Sequence, residues 1–591
     1  MPLVVLATSV LALVAAVYLL WGQRPAAAQV GPALPVRPNF VVIQTDDSTL
    51  EQLYAAFTPY PGAPAIRAMP NTLDLIAKRG ATFNRYYASY SLCAPSRSSL
   101  LTGRYAHNED KGNVEPNGGY TGFRSSPGWR HNIATWLQAD GYRTIHVGKF
   151  LNGYGEPPYS SAAEVPPGWS AWQSVINSDS DHYFYGYELS DNGVLEGPFG
   201  NSGSWETREY GERDDPGCPT APANGLPCNY ETDKFNELAL RELAATPAGK
   251  PFYLQLDETA PHGDFRRPAG PEPPPRYYTW FDGAPLPDNR AQGFDEGNVN
   301  DKPSFVREAP YLSPQEIHTY RIYYDKALAS LRGIDDGVRE IVEELGAMHR
   351  LRDTYVIFTS DNGFFYGQHR LVGGKFLAYE PSTHLPFLIR GPGIKPGSET
   401  NELAANVDIA PTILELAHVK ANHPIDGRSL FAFAHDPTLL TRRPVLFESF
   451  VESADVEEDG GLSPKPAGAA RARASRAGKG ATASIVAPPK NYYGIVLGPY
   501  KYIEWPDGEK ELYDLEADPY ELNNVVRRPN FFPVRAFLHR ELERLETCSG
   551  RECSEESPPL PLTRREQAKL KRERERERRE KERREHHRHG G

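Results

Sequence analysis

The chain has 591 residues, an ordinary globular share of 39% hydrophobic side chains and a formal net charge of −12. That length exceeds what one hydrophobic core serves, so one large domain and one smaller one are expected. The acidic balance argues against a nucleic-acid partner and gives no long-range attraction for an anion, so any anion site must be built locally.

At the N-terminus "LVVLATSVLALVAAVYLLWG" runs uncharged from Leu3 to Gly22, and the small-residue patch in "QRPAAAQ" follows it. Residues 1–28 therefore read as a signal peptide, and the protein as secreted or extracytoplasmic. The run is also long enough to span a bilayer and no Lys or Arg precedes it, which keeps an N-terminal membrane anchor open. A membrane is a partner only in that second case.

From Pro38, "PNFVVIQTDD" reads as an apolar strand closed by two acids. "NTLDLIAKRGATFNRYYA" and "NIATWLQADGYRTIHVGKF" each read as a helix running into a strand. "PFYLQLDETAPH" is a strand with a polar end, "LASLRGIDDGVREIVEELGAM" a long amphipathic helix, and "TYVIFTSDNG" a second apolar strand ending in acid and amide. Strands alternating with helices over 36–440 predict an α/β domain whose large mixed, mostly parallel sheet is flanked by helices. Residues 451–490 are rich in Ala, Gly, Pro and Arg and read as a low-complexity insert or linker. Residues 491–556 carry two strand-like runs around "PDGE" and then a helix, a smaller C-terminal α+β domain. The tail, 557–591, includes a stretch with 13 Lys/Arg against 7 Glu, a net +6 that leaves −18 for the rest. It suits an exposed helix or disorder.

Of five cysteines, Cys218 and Cys228 flank a Pro/Gly-rich loop, and Cys548 and Cys553 lie close together near the end. Two local disulfides suit an oxidising compartment. Cys93, in "SLCAPSRSSLLTGRY", is left over as an odd thiol; a merely buried structural cysteine is its alternative reading.

Asp46 and Asp47 close one apolar strand, and Asp361 and Asn362 close another. Oxygen donors of this kind suit a hard divalent cation, Ca²⁺ or Mg²⁺, and not zinc. Arg97, Lys149 in "VGKFLNGYG" and Lys375 in "GGKFLAYE" offer positive charge for a tetrahedral oxyanion. His262 in "ETAPHGDF" and His369 in "GQHRL" offer proton donors. Taken singly, each of these groups is as readily a solvated charge or a structural histidine.

"CAPSRSSLLTGRY" resembles the sulfatase signature C-x-P-S-R with its L-T-G-R element. The resemblance extends in family order through "VVIQTDD", "GKFLNGYG", "APH", "SDNG", "YEPSTHLPFLIRGPGI", "NVDIAPTIL", "DGRSL" and "ELYDLEADPYELNN". It implies an alkaline-phosphatase-like fold and hydrolysis of sulfate esters. Cys93 would be oxidised to formylglycine by a formylglycine-generating enzyme that reads Pro95 and Arg97. A hydrated aldehyde carries two hydroxyls on one carbon, one to attack sulfur and one to expel the sulfate afterwards. The same resemblance implies Ca²⁺, in preference to Mg²⁺, on Asp46, Asp47, Asp361, Asn362 and the modified Cys93. Arg97 would stabilise the hydrate, Lys149 and Lys375 the sulfate oxygens, and His262 the departing alcohol. Where many arylsulfatases read G-K-x-H this chain has Leu151, followed by Asn152. That variant resembles the branch of N-acetylglucosamine-6-sulfatases and heparan 6-O-endosulfatases, with Asn152 and His369 as accessory candidates and a sulfated sugar or glycan as substrate. The other readings are an arylsulfatase, a phosphate or phosphonate ester hydrolase of the same superfamily, and a non-catalytic sulfoglycan-binding protein.

Overall fold

The alternation of apolar strands and amphipathic helices becomes three layers, with one sheet between two sets of helices. The structure, a computed structural model, describes residues 37–109, 119–157, 160–176, 184–199, 230–264, 270–287, 290–450 and 491–589. Among these the main sheet comprises β1 (Asn39–Thr45), β2 (Ala81–Phe83), β3 (Arg143–Gly148), β4 (Ala171–Val175), β5 (Tyr187–Asp191), β6 (Val194–Phe199), β7 (Phe252–Asp257), β8 (Thr354–Ser360), β9 (Phe387–Arg390) and β10 (Ser398–Thr400). Their order is β10-β2-β9-β8-β1-β7-β3-β4-β5-β6. The central strands β8, β1, β7, β3 and β4 run parallel, and antiparallel pairings bring in β9 and β2 on one side and β5 and β6 on the other. This is the expected large mixed, mostly parallel sheet, with the parallel strands at its centre. β1 and β8 are buried at every position, which is why they read as unbroken apolar runs.

The helices that matter for the site are α1 (Cys93–Thr102), α2 (Ile133–Ala139), α3 (Glu231–Ala244), α4 (Pro314–Ala347) and α5 (Ile409–Ala417). On one face α3 and α4 pack Phe235, Leu238, Leu331 and Ile341 into a core with Val41, Ile43, Leu254 and Val356. On the other, α1, α2 and α5 bring Leu100, Ile133 and Ile409 to Phe40, Val42 and Ile357. Each such buried aliphatic side chain contributes about 1.5–3 kcal/mol. α4 begins at a capping box in which Ser313 accepts from Glu316 N, with Pro314 in its first turn.

A second, antiparallel sheet holds β11 (Val445–Ser449), β12 (Tyr492–Leu497), β13 (Tyr500–Glu504) and β14 (Lys510–Asp514) in chain order. β13 and β14 form the hairpin expected around "PDGE". The first strand, however, comes from before the 451–490 stretch, ahead of the 491–556 span. α6 (Phe532–Leu545) covers this sheet, and the resulting core also takes in Tyr87, Tyr105, Phe365 and Tyr379 from the main body. Buried charge links the two parts as well. Arg443 grips Asp408 at 2.5 and 2.8 Å, and Lys501 Nζ meets Glu380 at 2.6 Å and Glu521 at 2.9 Å. Beyond them α7 (Arg564–His589) is a helix whose described side chains are mostly exposed, as the charged tail predicts.

Cys548 and Cys553 are disulfide-bonded, and Cys93 is the free cysteine among the described residues. Cys218, Cys228, the 1–28 segment and the 451–490 insert lie outside the described residues. Among those described, no helix is long and apolar enough to cross a membrane.

His107 ties the main body to β11. Its Nδ1 lies 2.8 Å from Glu448 Oε2 and its Nε2 2.9 Å from the Cys548 carbonyl oxygen, so both ring nitrogens face acceptors, as an imidazolium requires. Burial pulls the His107 pKa down, but Glu448 and the Cys548 carbonyl outweigh it and the net shift is upward. The stabilisation is therefore fully present below the unfolded value of about 6.5 and fades as pH rises through the raised folded value. We expect wild type and His107→Gln to differ most in urea midpoint at acid pH and to converge as pH rises; a constant gap would contradict the charged pair.

Candidate active site

Register sets the geometry. Thr45 pairs with Ser360, and Gln44 with Asp257, so the ends of β1, β8 and β7 lie level. Asp46 and Asp47 leave β1, Asp361 and Asn362 leave β8, Lys149 leaves β3, and His262 follows β7. Asp47 adopts the left-handed region, φ 67°, a conformation that costs about 1–3 kcal/mol for most residues and less for Asp. It breaks the strand's alternation, so adjacent carboxyls both enter the cluster. Gly148, φ 108°, is required by close approach: a Cβ there would stand 2.0 Å from the Asp257 carbonyl oxygen, which accepts from Lys149 N at 2.8 Å.

Cys93 and Arg97, four residues apart at the start of α1, share one helix face. The Cys93 Sγ lies 3.4 Å from Asp46 Oδ1, and Lys375 Nζ donates to it at 2.8 Å. Lys375 also donates to Asp47 Oδ1 at 2.7 Å. Arg97 bridges Asp361 Oδ2 at 2.9 Å and Asp46 Oδ2 at 3.1 Å, and Lys149 Nζ meets Asp46 Oδ2 at 2.8 Å. His262 Nε2 stands 3.6 Å from Asp47 Oδ2. Every one of these side chains is buried. The start of α1, with amides that have no partner within the helix, adds partial positive charge beside residue 93.

Three carboxylates thus face Arg97, Lys149 and Lys375 in a dry space. Burial alone would raise the Asp46 pKa, but Lys149, then His262, Lys375 and Arg97, hold it well below the usual carboxylate range. Asp47 is pushed up to about 7 by burial, with Asp46 and Asp361 adding to the shift and Lys375 opposing it. Asp361 is also raised, by burial and then by Asp46. Burial, reinforced by Asp46, pushes the Cys93 thiol well up, so as a thiol it is neutral at pH 7 and a poor nucleophile. The cluster has room for further positive charge. Asn362 Oδ1 is buried with no hydrogen-bond partner among the described residues, while its Nδ2 donates to Asp47 Oδ1 and its backbone N to Asp361 Oδ1 at 2.7 Å. An all-oxygen donor set of this kind fits a hard divalent cation.

Asn152 is half-buried in the turn after Lys149, its carbonyl accepting from Tyr120 N at 2.7 Å. His369 Nδ1 is held 2.7 Å from Glu296 Oε2, and the residue helps to line a cavity of 570 Å³ that no member of the cluster lines. Sequence reasoning missed Ser96 and Asn406. Ser96 Oγ donates to the Asp361 carbonyl oxygen at 2.5 Å, and Asn406 Nδ2 donates to Ser96 O and Oγ at 3.2 and 3.1 Å. The signal for Asn406 lay in "NVDIAPTIL", one of the stretches that carry the sulfatase resemblance, where no residue was singled out.

A sulfatase family model matches residues 38–419, well over half the chain. The chain belongs to the sulfatase family. It is a sulfuric ester hydrolase, and its substrate is a sulfate ester. Two relatives illustrate the range: an arylsulfatase of Volvox carteri, 30% identical over 89% of this chain and 77% of its own length, and the human N-acetylglucosamine-6-sulfatase, 30% identical over 88% and 86%. Among solved structures, a protein in complex with its substrate D-glucosamine-2-N,6-O-disulfate matches with a TM-score of 0.61 at 22% identity, covering 86% of this chain and 97% of that one. At that identity the likeness speaks for the fold alone.

Asn406 also accepts from Ser89 N at 3.0 Å. Asn406→Ala in this sulfatase leaves that buried amide and Ser96 short of partners, so we expect a loss of about 1–3 kcal/mol in urea unfolding. Turnover should fall too, because the first turn of α1 loses its tether.

Proposed function

We propose that this sulfatase removes sulfate from a sugar, using formylglycine made from Cys93 and Ca²⁺ held by Asp46, Asp47, Asp361 and Asn362. The observation that carries the reading is the position of the Cys93 Sγ, between Lys375 Nζ and Asp46 Oδ1 and within a buried set of oxygen donors that includes the unpartnered Asn362 Oδ1.

As formylglycine hydrate, residue 93 would supply the nucleophile and its own release from sulfate, which an unionised thiol does not offer. Bound Ca²⁺ would supply Lewis-acid polarisation of a sulfate oxygen. The chain's own groups do the rest. Arg97, fixed by Asp46 and Asp361, holds residue 93 in place. Lys149 and Lys375 offset charge on the sulfate oxygens in a site too dry for water to do so. As an imidazolium, His262 would give its Nε2 proton to the departing ester oxygen, while its Nδ1 proton stays on the Gly263 carbonyl oxygen at 3.0 Å and aims the ring. Support for a sugar comes from the N-acetylglucosamine-6-sulfatase relatives and from Leu151, a buried apolar residue where arylsulfatases of the G-K-x-H type carry histidine.

A matched panel tests the substrate: N-acetylglucosamine-6-sulfate should be turned over with higher kcat/KM than an aryl sulfate or a phosphonate monoester. Preference for the aryl ester would make this an arylsulfatase, and preference for the phosphonate would overturn the reading. Cys93→Ala should abolish turnover with the near-UV circular dichroism unchanged. Peptide mass analysis of protein from its native host should show residue 93 lighter by the difference between CH₂SH and CHO. Asp361→Ala should lose bound calcium and activity together; full activity in a calcium-free preparation would sink the metal assignment.

A further inference from the structure

The imidazole of His262 is aimed by the peptide that follows it. With Nδ1 donating to the Gly263 carbonyl oxygen, Nε2 is left facing Asp47. What packs against that peptide comes from the far side of the sheet's end, from α4. A Cβ at Gly263 would stand 2.7 Å from the Tyr323 hydroxyl oxygen and 3.3 and 3.4 Å from its Cε2 and Cζ. The φ of Gly263 lies outside the left-handed region, so contact alone opposes a side chain there. A Cβ at Gly270 would likewise stand 2.8 Å from Tyr323 Cγ, so the same ring packs against both glycines.

That ring is itself held. It stacks on Phe364 at 5.0 Å and 20°, just past Asp361 and Asn362, and meets Tyr366 edge-on at 5.9 Å. Tyr366 is pinned by Gln52 Nε2, which donates to its hydroxyl at 2.9 Å. On the same helix, Tyr320 presses on Gly373, two residues before Lys375. Aromatic side chains of α4 therefore touch the loop that carries His262, the turn that carries Asp361 and Asn362, and the loop that carries Lys375.

We propose that Tyr323 is a positioning residue for His262: its ring fixes the Gly263 peptide, and the Gly263 carbonyl, accepting the Nδ1 proton, fixes the direction of the imidazole. This rests on the reading of His262 as the proton donor to the leaving oxygen. The arrangement works only while residue 263 lacks a side chain, because the Tyr323 hydroxyl occupies the space a Cβ would need.

Kinetics on the full-length, matured protein test it. Gly263→Ala should lower kcat for a sulfate monoester by about a hundredfold, the scale expected when a catalytic group is displaced by about an ångström, with KM little changed. Adding Tyr323→Phe to that variant removes the 2.7 Å contact and leaves contacts that a small ring shift absorbs, so it should restore most of kcat. Tyr323→Phe alone should stay near wild type, and Tyr323→Ala should lose kcat without rescue. An unchanged kcat in Gly263→Ala overturns the proposal, and so does a double variant as slow as the single one. Should the unaltered protein turn over no sulfate ester, the functional reading fails and positioning is judged by amide exchange. Tyr323→Ala must then speed exchange in the peptide spanning 258–264 while Tyr323→Phe does not; equal exchange in all three proteins overturns it.

Discussion

Six charged side chains share a space that excludes water, and their mutual compensation is the constraint on which the rest of the molecule depends. At low dielectric an uncompensated carboxylate is far more costly than in water, so Asp46, Asp47 and Asp361 must each find a cation or a proton. Arg97, Lys149 and Lys375 reach them from three different segments, and none can shift without exposing a partner. Much of the local architecture follows. The parallel register of β1, β7 and β8 brings the strand ends level, left-handed Asp47 turns two consecutive acids inward, and Gly148 lets the Lys149 backbone close onto Asp257.

The small antiparallel sheet belongs to the same scaffold. Lys501 on β13 reaches Glu380, five residues beyond Lys375, while Glu511 on β14 accepts from the Tyr379 hydroxyl at 3.0 and 3.1 Å. Both grips fall on the segment that leads away from Lys375. Removing Lys501 would leave buried Glu521 without its cation, a loss of about 3–5 kcal/mol when such pairs are cut in protein interiors. The sheet also seals this side of the molecule with Tyr87, Tyr379 and Val407 in a shared core.

Much of this was legible in the chain. Apolar runs ending in "TDD" and "SDNG" marked β1 and β8 because strands buried on both faces leave polar residues only at their ends. The C-x-P-S-R resemblance likewise singled out Cys93 and Arg97, which the structure sets at the start of one helix. What stayed hidden depended on distant packing. β11 was invisible as part of the small sheet because 451–490 separates it from its partners. Asn406 sits 310 residues from the Ser96 it holds, and Tyr323 lies ahead of the stretch read as a long amphipathic helix, which begins at Leu328. Its role comes from an absent methyl group at Gly263, which leaves no pattern in hydropathy. His369 drew notice through its neighbours in sequence, yet in three dimensions its nearest charge is Glu296.

Helix α1 is enclosed on all sides: each of its ten residues, Pro95 and Arg97 included, is buried, and the Cys93 sulfur has no path to a macromolecule. If Cys93 is matured as proposed, the enzyme that reads those side chains would have to meet them on a chain that has not yet closed around them, and a molecule that folded first would keep its sulfur.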